Sequence, residues 1–261
     1  MPKQYFMEER RRMILEYLHE HGRVSVKDLS NHLEVSEVTI RQDLRTLEEE
    51  ELLERTHGGA VLPKATANSS QELSYEIRSR TNRAEKDQLA RFAANLVRSG
   101  QSIALDASTT CYRMMPYLKQ LDRLIIVTNS LMVAQSCLDS PHIEVILPGG
   151  SLRRDSISVV GKAEALPDIH LNYGFFGAQG IAPVAGITES NRPESEIKQA
   201  LMDRCLQVYY LLDESKWGRV APFTITTHYE RTTLITTQRA PRKEVDHFRR
   251  MGVSVELLPA L

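Results

Sequence analysis

Six short apolar runs recur along the second part of this chain, and they constrain its fold more than any other feature. Beta-branched and aromatic residues are common in them, and segments of helical or loop character separate each run from the next. This alternation predicts an α/β domain with a mostly parallel sheet and helices on its faces. The runs are residues 102–106, 124–128, 143–147, 173–177, 208–212 and 233–236.

Polar loops follow five of these runs, at the positions where the strands would end. In such sheets ligands bind beyond the carboxyl ends of the strands, so five polar loops together favour a ligand crevice. In the first loop, small hydroxyl residues stand at the N-terminus of a predicted helix, where backbone N–H groups can bind a phosphate. Ordinary helix capping explains the same residues equally well. The loops are residues 106–110, 128–130, 149–154, 177–180 and 213–219.

The segment 35–47 predicts a short helix with one apolar and one polar face. Its apolar residues at 35, 40, 44 and 47 share a side of the helix, and Ser36 is placed to cap its N-terminus. The other faces carry side chains that can donate hydrogen bonds to phosphates or to base edges in a major groove. These are Thr39, Arg41, Gln42 and Arg45.

The segments around that helix predict a winged helix-turn-helix, a mostly α-helical N-terminal domain. A helical pattern at 7–21 ends at Gly22, and a short extended segment and a second short helix at 27–33 follow. After the 35–47 helix, residues 52–55 lead into a Gly-Gly turn that would form the wing. The alternative is a small helical domain that binds another protein.

Residues 39–44, together with 55–60, resemble the signature of the DeoR family of bacterial transcription regulators. That family usually has an arginine where Gln42 stands, so the base-reading surface is altered, and a glycine where Glu51 stands. A residue with a Cβ at 51 would have to adopt a left-handed turn, at a cost of roughly 1 kcal/mol. The resemblance implies that DNA is bound by Ser36, Thr39, Arg41, Gln42, Arg45, Arg55 and His57.

The remaining chain resembles the sensor domain of the same family, which is similar in fold to ribose-5-phosphate isomerase. The resemblance implies a phosphorylated sugar or sugar-derived effector. Glu194 and Lys198 belong to the matching motifs, but as an i, i+4 pair they could instead form an ion pair worth only ~0.3–0.5 kcal/mol. The implied effector-binding residues are the phosphate-loop residues Asp106, Ser108, Thr109 and Thr110, the charge partners Arg153 and Lys216, and Asn129, Ser130, Gly149, Gly150 and Gln179.

These patterns divide the chain into a winged helix-turn-helix DNA-binding domain at 1–62, a polar linker at 63–74 and an effector-sensing α/β domain at 75–261. Residues 1–60 carry nine basic and thirteen acidic residues, so the arrangement of charges rather than the net charge must supply the phosphate contacts. Because one weakly charged head would bind DNA weakly, we expect a homo-oligomer, either a dimer or a tetramer.

The cysteine content and the absence of long apolar segments indicate the cellular compartment in which the protein is expected. The chain has three cysteines, which are far apart in sequence and predict free thiols in a reducing environment. Neither a metal site nor another cofactor is expected from the spacing of its histidines and cysteines. No segment has the apolar core of a signal peptide or the roughly 20 apolar residues of a membrane span, so we expect a cytoplasmic protein.

Two classes of function are compatible with these observations. The first is a transcription regulator, typically a repressor of a sugar or carbohydrate operon, which binds operator DNA and a phosphorylated sugar. The second is a sugar-phosphate isomerase with an appended winged-helix domain. The resemblance implies that the isomerase places acidic residues in the loop 177–180, where this chain has Gln179 and related regulators often have aspartate. An amide cannot act as a general base near neutral pH, so binding without turnover is favoured. Trp217 could either cover a ligand or fill the core.

Overall fold

The structure is a computed structural model of the 261-residue chain and describes residues 7–49, 52–61 and 75–260. The chain divides into two compact units, residues 1–71 and 72–261. We call them the head unit and the sensor unit. The predicted linker at 63–74 and Glu51 lie outside the described residues.

The head unit combines three helices with a small antiparallel sheet, in which β3 lies between β1 and β2. Apolar side chains from all three helices meet in one core, among them Leu18, Leu29 and Leu44, which are fully buried. This arrangement is a winged helix-turn-helix, as predicted. The elements are α1 (Met7–His21), β1 (Arg23–Ser25), α2 (Val26–Leu33), α3 (Glu37–Glu49), β2 (Glu54–Thr56) and β3 (Gly59–Val61).

Local sequence explains where these elements begin and turn. The Ser36 hydroxyl accepts a hydrogen bond from the Thr39 N–H at 3.2 Å and so caps α3. The wing turn between β2 and β3 depends on glycine, because Gly58 has a φ of 96° and a Cβ on Gly59 would lie 1.9 Å from the Val24 carbonyl oxygen. The Gly-Gly pair therefore brings the wing against β1.

The sensor unit is built on a seven-stranded sheet in which every neighbouring pair of strands is parallel. The strand order is β15-β14-β12-β9-β4-β5-β6, so β9 and β4 lie at its centre. These strands confirm the predicted α/β class. They are β4 (Ser102–Leu105), β5 (Leu124–Thr128), β6 (Ile143–Ile146), β9 (Leu171–Phe176), β12 (Cys205–Leu211), β14 (Thr232–Thr237) and β15 (Ser254–Leu258).

Helices cover both faces of this sheet. Leu201 and Phe248 pack on one face and Leu89 and Leu118 on the other, each within a separate cluster of buried apolar residues. The helices are α4 (Tyr75–Arg80), α5 (Arg83–Ala94), α6 (Thr109–Tyr112), α7 (Met115–Leu118), α8 (Leu131–Ser136), α9 (Arg192–Asp203) and α10 (Arg242–Arg250).

Two small antiparallel sheets lie outside the pattern that the sequence predicts. One is a hairpin of β7 (Ser151–Arg153) and β8 (Ser158–Val160), of which only β7 falls within the predicted loop 149–154. The other joins β10 (Gly180–Ala182), β11 (Gly186–Glu189) and β13 (Phe223–Thr226). Both follow strands of the main sheet and place charged residues near its carboxyl edge.

Trp217 belongs to the core of the sensor unit. Its ring packs edge-on against Phe248, and its indole N–H donates to the Thr236 hydroxyl at 3.1 Å. Of the two roles that the sequence left open, the structure supports the packing role. Among the described helices, none is long and apolar enough to cross a membrane.

Candidate functional site

The α3 helix presents different chemistry on its two sides. Ile40, Leu44 and Leu47 are buried in the head core, whereas the side chains of Arg41, Gln42 and Arg45 are exposed. Arg41 donates to the exposed Glu37 carboxylate at 2.7 Å, an i, i+4 pair on the helix surface that contributes little to stability. The exposed side therefore offers a cluster of donors that a nucleic acid can reach.

Asp43 is a buried acid on the same helix that the sequence reasoning missed. It accepts hydrogen bonds from Arg10 Nε at 2.5 Å and from Arg11 Nε at 3.2 Å, so it joins α1 to α3. Its spacing from Ile40 and Leu47 places it on the core side of the helix, which is a signal that could have identified it. Both arginines are thus committed to holding the head together.

The wing adds two exposed polar side chains to the head unit. Arg55 lies in β2 and His57 in the turn that follows, and both are exposed. The Arg55 backbone N–H donates to Glu48 at 3.4 Å, which connects the wing to the end of α3. All seven residues predicted to bind DNA lie on α3, at its start, or on the wing.

A polar cleft opens in the sensor unit at the carboxyl ends of β4, β5 and β9, which are adjacent strands. It brings together three predicted residues from three separate loops, Ser108, Asn129 and Gln179. Charged residues that lie on other elements complete it. The lining residues are Arg78, Ala107, Ser108, Asn129, Gly177, Ala178, Gln179, Glu189, Glu194 and Lys198.

A buried ionic network forms the floor of this cleft. The Lys198 ammonium lies 3.0 Å from Asp106 Oδ2 and 2.5 Å from Glu189 Oε2, and all three side chains are almost fully buried. Burial alone would lower the pKa of Lys198, but the carboxylates around it raise that pKa well above its ordinary value. Asp106 also accepts from the backbone N–H groups of Ser108 and Gly177. The network fixes two strand-end loops to α9.

Glu194 is held by a different set of partners from those of Lys198, although the two are four residues apart on α9. It accepts hydrogen bonds from the hydroxyls of Ser156 and Ser158 and lies 3.3 Å from Arg153 Nε. The β7–β8 hairpin is thereby attached to the cleft wall. The two residues thus connect separate parts of the cleft, because Lys198 pairs with Glu189 at 2.5 Å whereas Glu194 lies 3.3 Å from Arg153.

The Asn129 side chain carries the clearest sign that the cleft accepts a ligand. The residue is 1% exposed, and its Oδ1 has no hydrogen-bond partner within the described part of the chain. A buried polar atom without a partner costs roughly 1–3 kcal/mol, so native proteins rarely retain one. A ligand hydroxyl bound in the cleft would donate to this oxygen and recover that cost.

Several predicted residues are not among the described residues that line the cleft. Thr109 is buried and its hydroxyl donates to the Arg78 carbonyl at 3.5 Å, while Ser130 caps α8. A Cβ on Gly150 would lie 2.2 Å from the Val160 carbonyl oxygen, so this glycine permits the β7–β8 pairing. The full set is Thr110, Thr109, Ser130, Gly149, Gly150, Arg153 and Lys216, with Asp106 just beneath the lining.

Lys216 belongs to a second polar cluster beside the cleft, at the end of β12. Burial lowers the pKa of Lys216, although the neighbouring Asp213 carboxylate opposes this effect. Burial also lowers the pKa of Lys86, to about 8, and its ammonium lies 3.8 Å from Asp213 Oδ2. Asp213 accepts a further hydrogen bond from the Asn82 amide at 2.9 Å. This cluster ties the start of α5 to the loop after β12.

A helix-turn-helix head with an exposed donor face, joined in one chain to an α/β unit with a polar cleft, defines the class of transcription regulators that carry a separate sensing domain. Two family models match this chain. Residues 10–66 match the DeoR-like helix-turn-helix domain, and residues 81–238 match the DeoR C terminal sensor domain. The chain belongs to the DeoR family of transcriptional regulators, as its motifs predict.

Relatives of similar length match almost the whole chain. The HTH-type transcriptional regulator GolR of Listeria innocua is 34% identical, over 95% of this chain and 98% of its own length. The glycerol-3-phosphate regulon repressor of Escherichia coli K12 is 33% identical, over 82% and 84% of the two chains. Ribose 5-phosphate isomerase A from Methanocaldococcus jannaschii shows only a distant structural likeness, with 16% identity and a TM-score of 0.40 over 52% and 55% of the chains.

Proposed function

We propose that this regulator represses a carbohydrate operon and that a phosphorylated sugar or sugar-derived effector in the cleft controls its binding to operator DNA. The observation that carries the proposal is α3, which buries one face in the head core and exposes Arg41, Gln42 and Arg45 on the other. Relatives named as the glycerol-3-phosphate regulon repressor and the aga operon repressor support the repressor role.

The DNA contacts follow from the exposed surfaces of the head unit. Side chains along α3 would enter the major groove, where arginine and glutamine can read base edges, and the wing would contact the backbone. The proposed contact residues are Ser36, Thr39, Arg41, Gln42, Arg45, Arg55 and His57. Two or more heads in a homo-oligomer would supply the phosphate contacts that one acidic head lacks.

Replacing Arg41 or Arg45 by alanine is expected to weaken operator binding without altering the fold, because both side chains are exposed. The loss should be ~1–3 kcal/mol for a residue that reads a base edge, and it should be similar on any sequence for a residue that holds a phosphate. Gel-shift titrations on a selected operator and on a scrambled duplex distinguish the two cases.

Arg242→Ala provides a matched control for that measurement. Arg242 is 94% exposed on α10 and has an acidic i, i+4 neighbour, Asp246, as Arg41 has Glu37. It lies in the sensor unit, so its removal should leave operator affinity unchanged. Unchanged affinity of both α3 variants on both duplexes would exclude α3 as the reading helix.

The cleft has the chemistry that a phosphorylated sugar requires. Arg78 supplies positive charge, while Asn129 and Gln179 supply amides that can bind sugar hydroxyls. The unpartnered Asn129 oxygen is the group that most directly supports a bound hydroxyl donor. The proposed effector-binding residues also include those at the cleft margin, Asp106, Thr109, Thr110, Ser130, Gly149, Gly150, Arg153 and Lys216.

The cleft is proposed to bind its ligand without turnover. Isomerisation needs a positioned base next to the substrate carbonyl, and Gln179 cannot serve as one. The carboxylates of Asp106 and Glu189 are each bound to the Lys198 ammonium and to a backbone N–H, so both are engaged in structural contacts. These commitments favour a sensor over an enzyme.

The effector is expected to weaken operator binding by roughly five- to a hundredfold, a typical coupling between two sites. A thermal-shift screen of phosphorylated sugars would first identify the compound that binds. Its titration into an operator gel shift then measures the coupling. Asn129→Leu, which keeps the side-chain size and removes the amide, should bind DNA normally and lose the response.

Two results would count against this prediction in different ways. Operator affinity that does not change at saturating effector would show that the two sites are not coupled. Tighter operator binding would show that the effector is a co-repressor, which strengthens DNA binding instead of releasing the protein from its operator.

A further inference from the structure

Val38 is an apolar residue on the exposed side of α3, where the other side chains are polar. Its side chain is 72% exposed, more than that of any other large apolar residue described in the head unit. Valine is β-branched and forms helices less readily than alanine, so an exposed position on a helix gives no local structural reason for it. Single exposed valines are common on protein surfaces, and the significance of this one therefore depends on its neighbours.

The neighbours of Val38 on the helix surface are proposed DNA contacts. Arg41, Gln42 and Arg45 follow it at intervals of three, four and seven residues, which places all four side chains on one face of the helix. All four are exposed, whereas Leu44 on the other side is fully buried. A DNA groove that accommodates the three polar side chains therefore also meets Val38.

Val38 lies in the first turn of α3, the part of the helix that reaches furthest into the groove in helix-turn-helix proteins. The polar side chains of this turn bond to one another or to the next turn. The Ser36 hydroxyl lies 2.8 Å from the Thr39 hydroxyl, and Glu37 accepts from Arg41 at 2.7 Å. Val38 therefore presents the most exposed apolar surface of the turn that meets the base edges.

We propose that Val38 recognises the methyl group of a thymine in the major groove of the operator. An apolar side chain that contacts this methyl group distinguishes thymine from cytosine without a hydrogen bond. Gln42 lies one turn further along the same face, and glutamine pairs with the edge of adenine, so both residues favour A·T pairs. This inference rests on the proposed function, since it requires that α3 enters the major groove.

The first measurement removes the methyl group from the DNA and leaves the protein unchanged. Duplexes that bind the full-length wild type are selected from a random library, and each thymine of the selected operator is replaced in turn by deoxyuridine, which lacks only the methyl group. We expect a thymine at which the replacement weakens binding in a gel shift by roughly three- to tenfold, the effect of losing one or two buried methyl-sized contacts. Equal affinity with deoxyuridine at every thymine overturns the inference.

Val38→Ala identifies the residue that contacts this thymine. Alanine is the better helix former, so the variant should fold, and circular dichroism melting curves check this. The variant should bind the thymine operator roughly three- to tenfold more weakly than the wild type, and deoxyuridine should weaken its binding no further. Val184→Ala makes the same change at a residue of the sensor unit that is 93% exposed, and it should respond to deoxyuridine as the wild type does. A Val38→Ala protein with the full wild-type response to deoxyuridine overturns the inference.

The Arg41→Ala and Arg45→Ala variants separate this inference from the proposed function. If they bind the selected operator more weakly while the wild type tolerates deoxyuridine at every thymine, α3 remains the reading helix and the role of Val38 is wrong. If the wild type binds selected and scrambled duplexes equally well, the role of Val38 and the proposed operator binding are both overturned.

Discussion

Lys198→Met is expected to lower the free energy of unfolding of the sensor unit by about 3–5 kcal/mol at neutral pH, because it removes the one cation between two buried carboxylates. Asp106 and Glu189 are 0% and 2% exposed and lie 3.0 Å and 2.5 Å from the ammonium. Because methionine has a side chain of similar length, the decrease in the free energy of unfolding comes from the missing charge and not from a cavity. Urea unfolding followed by Trp217 fluorescence measures it, since the chain has one tryptophan and it lies in the sensor core.

The raised pKa of Lys198 also predicts how the stability of the protein depends on pH. The folded state raises the pKa of Lys198, so the stability from its charge is fully present below its ordinary pKa and is lost only as alkaline pH approaches the raised value. The variant has no ammonium at this position and lacks that alkaline loss. The difference between wild type and variant should therefore shrink as alkaline pH approaches the raised pKa of Lys198.

An exposed lysine on another helix provides the control. Lys243 lies on α10 and is exposed, so Lys243→Met should change the unfolding free energy by no more than about 0.5 kcal/mol. A Lys198→Met protein as stable as the Lys243→Met protein at neutral pH would show that the buried network contributes nothing.

Asp43→Asn is expected to destabilise the head unit by about 3 kcal/mol, because it removes the buried carboxylate that both Arg10 and Arg11 contact. The Arg10 and Arg11 side chains are 13% and 18% exposed, so water cannot fully compensate for the lost carboxylate. A domain of about 60 residues has little stability to lose, and part of the head population should unfold. Circular dichroism should show an earlier helical transition, and operator affinity should fall with it.

Two comparisons show whether that effect is local to the head. Glu49→Gln removes an acid from the exposed end of the same helix and should not destabilise it, because an acid there opposes the helix dipole. The Trp217 fluorescence transition of Asp43→Asn should coincide with that of the wild type. A shift of the Trp217 transition, or an unshifted helical transition, would contradict the assignment of Asp43 to the head core.

Six of the seven sheet strands could be predicted because strands buried on both faces are continuous apolar runs. The seventh, β15, escaped because Ser254 and Glu256 are exposed and interrupt its apolar pattern. The β7–β8 hairpin escaped because its strands are only three residues long. The sequence thus predicts the buried layers better than the short elements around the cleft.

The loops of the candidate site could be predicted from the sequence, but the place of Arg78 in it and the ion-pair partners of Lys198 could not. Ser108 and Asn129 follow apolar runs directly, so strand-end reasoning places them at one edge. Arg78 lies in a six-residue helix without apolar periodicity, which gives no sequence signal. Lys198 meets Asp106 and Glu189 only through the tertiary fold, and spacing alone suggested its helix neighbour Glu194 as the partner.

The order of the strands has a consequence for how the two units reach their folded states. At the centre of the sensor sheet, Ile103 of β4 pairs with Tyr173 of β9, a contact between segments far apart in sequence. Such pairings require long loops to close before any contact compensates for the lost entropy, so parallel sheets form slowly. The head has one pairing of this kind, between Arg23 of β1 and Val61 of β3, and it spans a shorter stretch of chain. We therefore expect a newly made chain to acquire its DNA-reading surface before it acquires its sensor.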